Sequence, residues 1–149
     1  MRSMVRVNSD EIKKYMFEDA GAHNPANNPP VFGALDYVTE KLLGAGKAVL
    51  YDANNNRLSD RAKHQKLAET QGAQTVVLWV KTPLEIAQQR DAGRADVPGY
   101  LPIPPERYVQ IVHALEEPMP EERVIVVDGL ASFEEQLHSF DEQLAALNL

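Results

Sequence analysis

Residues 48–56 read Ala-Val-Leu-Tyr-Asp-Ala-Asn-Asn-Asn. Four apolar residues run without alternation into Asp52, and three asparagines follow. A continuous apolar run that ends in a polar turn is the pattern of a buried parallel strand. The turn before it is marked by Gly44-Ala45-Gly46, which stops a helix carrying Val31, Leu35, Val38 and Leu42 at helical spacing.

The same alternation of helix and apolar strand extends outward. Upstream, Met4–Val7 reads as a strand. Asn8 with Glu11 then makes a capping-box pattern for a helix from about Ser9 to Glu18. The stretch Asp19–Pro30, dense in Asn, Pro and Gly, reads as a loop. Downstream, a polar helix from about Ser59 closes at Gly72, and Gln74–Val80 is the clearest strand of the chain. Thr82-Pro83-Leu84-Glu85 supplies the start of a helix that carries Ile86 and Arg90 and breaks near Gly93. After the interruption Pro98–Pro105, a helix over Glu106–Leu115 turns Tyr108, Ile111, Val112 and Leu115 inward. Val124–Val127 is a further buried strand, and Ser132 with Glu135 caps a last helix that buries Phe133, Leu137, Phe140, Leu144 and Leu147. This order predicts an α/β protein with a parallel sheet covered by helices on both faces. In such sheets ligands bind at the carboxyl ends of the strands, where Asp10, Asp52, Asn54 and Asp128 fall.

Bulk composition bounds the function. The 149 residues suit one domain, residues 1–149, with a core of its own. With no cysteine, disulfides, thiolate metal sites and cysteine nucleophiles are excluded. A net charge of −7 argues against an extended nucleic-acid surface. The start, MRSMVRVNSDEIKK, lacks the apolar core of a signal peptide, and no run reaches membrane-spanning length, so the cytoplasm is the expected compartment.

Three groups of residues could carry chemistry. Asp10, in the first turn of a helix that follows a strand, could accept the proton of an attacking hydroxyl; the alternative is that it complements the helix dipole. Asp52 could meet Mg²⁺ while Asn54 orients a phosphate or hydroxyl, or Asp52 could cap the asparagine turn. Arg90 and Arg94, four apart, could clamp phosphates from a lid spanning about 91–105, or pair with Asp91 or Asp96. Two further features are set aside. Gly44-Ala45-Gly46-Lys47 lacks the spacing and the Ser/Thr of a phosphate loop. His23, His64, His113 and His138 have no metal-like spacing.

In order and spacing these pieces resemble the P-loop kinases of the polynucleotide-kinase and zeta-toxin type, many of them labelled AAA-domain ATP-binding proteins. The resemblance runs from VNSDEIKK through LLGAGKAVLYDANN and VVLWVKTPLEIAQQRDAGR to RVIVVDG. It implies a three-layer α/β/α fold of the P-loop NTPase type and phosphoryl transfer from ATP with Mg²⁺ to a small-molecule, nucleotide or other hydroxyl acceptor. By resemblance, Asp10 is the base with Lys13 three positions on, and Asp52 and Asn54 serve metal and acceptor. Arg90 and Arg94 are the lid arginines that contact ATP. Lys13 stands where an arginine is frequent, and the two differ in phosphate geometry.

The family plan opens with a strand, a Gly-rich phosphate loop (Walker A) and a helix, about thirty residues with no counterpart here. The chain therefore reads as N-terminally truncated relative to that plan. Weak ATP binding and little turnover are expected of it. The alternative is a non-catalytic remnant acting as a binding or regulatory module, or completed by a partner chain or self-association. The missing strand would lie between Ala48–Tyr51 and Gln74–Val80, so those two are expected to pair directly or to have the slot filled, since open strand edges are a liability.

Overall fold

The computed structural model describes residues 4–21, 24–94 and 103–148. The chain divides into two compact units, one of residues 1–55 with 59–73, the other of residues 56–58 with 74–149.

In the first unit, β1 (Met4–Asn8) leads into α1 (Ser9–Gly21), a 3-10 turn at Pro25–Asn27, α2 (Asn28–Gly44), β2 (Ala48–Asp52) and α3 (Leu58–Thr70). The segment expected to be a loop is largely helical. Its prolines explain the difference. Asn24 caps the 3-10 turn by accepting from the Ala26 N–H at 3.0 Å, and Pro29 and Pro30 stand in the first turn of α2, where a missing N–H costs nothing. α2 ends as expected, with Gly46 at φ +71° turning the chain toward β2.

β1 and β2 pair in parallel, Val5 opposite Val49, Val7 opposite Tyr51 and Asn8 opposite Asp52. Side chains alternate across the pair. One face sends Val7, Val49 and Tyr51 against α1 and α2, where Val31 and Leu35 are fully buried and Ile12, Phe17 and Leu42 close the cluster. The other face carries Arg6, Asn8, Leu50 and Asp52, with Leu50 exposed. Burying side chains of the size of Val31 and Leu35 stabilises by about 1.5–3 kcal/mol each. That cluster fixes the register that brings the polar ends of β1 and β2 level.

The second unit holds β3 (Val77–Lys81), α4 (Leu84–Ala92), α5 (Pro105–His113), β4 (Val124–Asp128) and α6 (Phe133–Ala146). β3 and β4 are again parallel, Trp79 opposite Val126. Ile125 and Val127 are the buried hydrophobic side chains of this unit among the described residues, and the Ser132–Glu135 capping box opens α6 as read from sequence. The Gln143 side chain clasps β4 from α6. Its Oε1 accepts from the Val126 N–H at 3.0 Å and its Nε2 donates to the Val126 carbonyl at 2.7 Å.

Several expectations need correction. α4 starts one residue later than read, behind Pro83, and has no side-chain cap. Phe133, expected inside, is 77% exposed, and Leu137, Val38, Val112 and Leu115 are exposed too. Helical spacing marks a stripe, but the helix turns only part of it inward. The expected β2–β3 pairing is not formed. Among the described residues the strands make two separate two-stranded sheets, β1 with β2 and β3 with β4. Each strand pairs with the partner reached by its own helical crossover. No helix among the described residues is long and apolar enough to cross a membrane.

Gly129 illustrates how tightly β4 ends. Its N–H donates to the Lys81 carbonyl at 2.7 Å, and a Cβ there would collide with Thr82 Oγ1 and lie 2.9 Å from Lys81 O. Gly129→Ala should therefore cost about 1–3 kcal/mol, the scale of overpacking a filled site. A lowered urea midpoint, followed by the fluorescence of Trp79 in β3, checks it.

Candidate functional site

The polar ends of β1 and β2 open onto a cleft of about 140 Å³, lined by Ser9, Asp10, Lys13, Phe32, Asp52, Ala53 and Asn54. Asn8 is the joint that builds it. Its Oδ1 caps α1 by accepting from the Glu11 N–H at 2.8 Å, and its Nδ2 donates to Asp52 Oδ2 at 2.8 Å. One amide thus ties the start of α1 to the end of β2. Ser9 and Lys13, four apart, then share a helix face with Asp10 beside them. Phe32, from the first turns of α2, is the apolar wall.

Only half of the expected capping box forms. The Glu11 carboxylate accepts instead from Arg6 NH1 at 2.9 Å. Arg6 turns its other arm to Asp52, with Nε at 2.8 Å and NH2 at 2.6 Å from Oδ2. The hydrogen bond and the charge of Asp52 raise the Arg6 pKa above its ordinary value. Asn8 caps α1 as read from sequence, but Arg6 and the bond from Asn8 to Asp52 were missed. The available signal was a polar pair two apart, hence on one face, in an otherwise apolar strand.

Arg61 was missed as well. It sits in α3 at 7% exposure and donates from NH1 to the Asn55 carbonyl at 3.1 Å. A buried guanidinium holding the asparagine turn steadies Asn54 at the cleft rim. A single arginine in a polar helix gave no sequence signal for this.

Behind Asp52 the strand shows a second polar cluster. Tyr51 Oη donates to Asp36 Oδ1 at 2.9 Å, Lys63 Nζ pairs with Asp36 Oδ2, and His64 Nε2 lies 3.5 Å from Asp36 Oδ1. The Tyr51 and His64 rings meet at 4.1 Å between centroids. Burial, followed by the bond to Asp36, raises the Tyr51 pKa.

Burial lowers the His64 pKa from its ordinary 6.5, outweighing Asp36 and Asp60, while Lys63 adds to the lowering. The unfolded chain therefore takes up that proton more readily than the folded one. Stability from His64 is complete above pH 6.5 and is lost as the pH falls through the lower folded value. His64→Gln should flatten the fall of the urea midpoint on acidification from neutrality, measured by circular dichroism.

Arg90 and Arg94 belong to the other unit. Arg90, in the last turn of α4, donates from NH1 to the Gly129 carbonyl at 2.7 Å. Arg94 lies beyond the helix end, so the two do not share a helix face, and its NH2 stands 3.7 Å from Asp91 Oδ1. Asp91 is only 2% exposed and accepts from the Ile103 N–H at 2.9 Å, while Tyr108 bonds to it as well. Asp128, at the end of β4, accepts from the Leu130 N–H at 2.8 Å and caps that turn. Most of the expected lid, including Asp96, lies outside the described residues.

The structure thus brings Asp10, Lys13, Asp52 and Asn54 to one cleft and places Arg90 and Arg94 in a separately described unit. A mixed α/β chain with parallel strand pairs and a polar cleft at the strand ends is compatible with a P-loop NTPase-like fold. The chain belongs to the AAA domain family, whose model matches residues 1–117. That match makes it a P-loop kinase-like AAA domain and carries a general expectation of nucleotide binding and magnesium dependence. A comparison with curated proteins finds no match.

Proposed function

We propose that this chain is a kinase-type protein of the polynucleotide-kinase and zeta-toxin kind, whose cleft receives the hydroxyl of an acceptor. The observation that supports this reading is the convergence of Asp10, Lys13, Asp52 and Asn54 at the carboxyl ends of a parallel pair. A cleft of about 140 Å³ is too small to enclose a nucleotide, since drug-sized ligands occupy several hundred. It suits the hydroxyl-bearing end of an acceptor, with the remainder outside. MgATP, when bound, supplies the phosphoryl group.

Within this reading each residue has a chemical role. Asp10 takes the proton of the attacking hydroxyl. Asn54 offers an amide to orient the acceptor. Lys13, an ammonium on the cleft wall, draws negative charge toward that hydroxyl. Arg90 and Arg94 contact the phosphates of ATP, for which Arg94 must leave Asp91. The acceptor is a small molecule, a nucleotide or a sugar derivative, and the compartment is the cytoplasm.

ATP affinity of these 149 residues alone should be weak, because they contain no Gly-x-x-x-x-Gly-Lys-Ser/Thr segment to cradle the β- and γ-phosphates. Isothermal titration with MgATP tests this, and micromolar affinity would overturn it. A second reading is a binding or regulatory module. In its strongest form a partner chain or a second copy supplies a further strand, since each described strand has one paired neighbour. A concentration-dependent mass in light scattering would support self-association.

A further inference from the structure

We propose that Arg6 is a tethered cation occupying the place a divalent metal would need at Asp52, so that Asp52 anchors Arg6 and Asn8 instead of ligating magnesium. Magnesium accompanies nucleotide in this family in general, and a strand-terminal aspartate is the residue type to meet it. The residues present do not fit that role. Asp52 Oδ2 accepts from Arg6 Nε and from Asn8 Nδ2, each at 2.8 Å, and Arg6 NH2 stands in ion-pair contact with it at 2.6 Å. A carboxylate oxygen has two lone-pair directions, so Oδ2 is saturated, and a metal reaching Asp52 is left with Oδ1 alone, on a carboxylate whose charge Arg6 already balances.

Magnesium must approach an oxygen to about 2.0–2.1 Å, and here it would meet a guanidinium that stays charged at any accessible pH. Leaving costs Arg6 a second contact, because Glu11 accepts from its NH1 at 2.9 Å on the other side. Swinging out would break contacts at both ends at once. Asn8 cannot leave without giving up part of the link between α1 and β2. Among the described residues no three His, Asp or Glu side chains gather as an alternative cage.

Arg6 and Asp52 are both about half exposed, so solvent screens their attraction and the exclusion is a competition. Its size is set accordingly. Removing the guanidinium should strengthen divalent-metal binding at Asp52 by roughly tenfold, the scale of losing a few screened ion contacts.

The probe is Mn²⁺ alone, added to the ¹⁵N-labelled protein, with paramagnetic broadening of the Ala53 and Asn54 amides as readout. The wild type should show no selective broadening there at submillimolar metal. Arg6→Met should show it, Arg6→Lys should resemble the wild type, and Asp52→Asn in the Arg6→Met background should abolish it. Arg6→Gln, which keeps an amide donor without the charge, is the second neutral variant should Arg6→Met not fold. Selective broadening in the wild type overturns the proposal, and so does a folded neutral variant that gains none. No nucleotide or acceptor enters this test, so its failure is distinguishable from failure of the phosphoryl-transfer reading.

Discussion

Asp10→Ala should lower phosphoryl transfer to a hydroxyl acceptor by roughly 10²–10⁴-fold, the contribution of a positioned general base. The position supports this size of effect. Asp10 lies in the first turn of α1, whose start is locked to β2 through Asn8, so its carboxylate is delivered to the cleft by a fixed joint. The substitution removes an exposed side chain that takes no part in the core, so folding should be little affected. The helix-dipole role alone accounts for about 0.3–1 kcal/mol of stability and for nothing in transfer. Radiolabelled ATP at high concentration with a panel of acceptors provides the rate. A variant that transfers as fast as the wild type would leave Asp10 with the dipole role alone.

Leu35→Ala should destabilise the first unit by about 2–5 kcal/mol. Leu35 is fully buried and, with Val31 and Val7, forms the cluster that seats α2 on the strand pair. Methylenes removed there leave a cavity walled by side chains from β1, β2 and α2, which cannot all close in together. A loss of this size is a large part of the stability of a small domain. It should be read where it arises, by amide hydrogen exchange in Val5–Val7 and Val49–Tyr51, because Trp79 reports on the other unit. Protection unchanged in those strands would mean that the cluster does not hold the pair together.

The parts legible in sequence are those decided by neighbours in the chain. The strand Ala48–Tyr51, the helix stop at Gly46 and the Ser132 cap depend on a few adjacent residues, and each appears where it was read. The parts that were not legible are decided at a distance. Arg6 and Asp52 are 46 positions apart, and only the register Asn8–Asp52 makes them neighbours. Asp91 gave no sign of its burial, because its partners Ile103 and Tyr108 come back to it from beyond the end of α4. Proline misled over residues 25–30, where a helix breaker in mid-helix is a helix starter at the first turn. Phe133 misled in the opposite sense, since spacing alone cannot say which end of an amphipathic stripe leaves the sheet.

The central claim is that the cleft at the ends of β1 and β2 takes a hydroxyl acceptor. Its most direct test is a ¹⁵N–¹H NMR titration of the protein with ribonucleosides, nucleoside monophosphates and sugar phosphates, each added without ATP. The account predicts that one of these classes shifts the amides of Ser9, Asp10, Lys13, Ala53 and Asn54 together and saturably, with a weaker response in Asp10→Ala. Saturable shifts confined to residues away from this cleft, with these five amides unmoved, would contradict it.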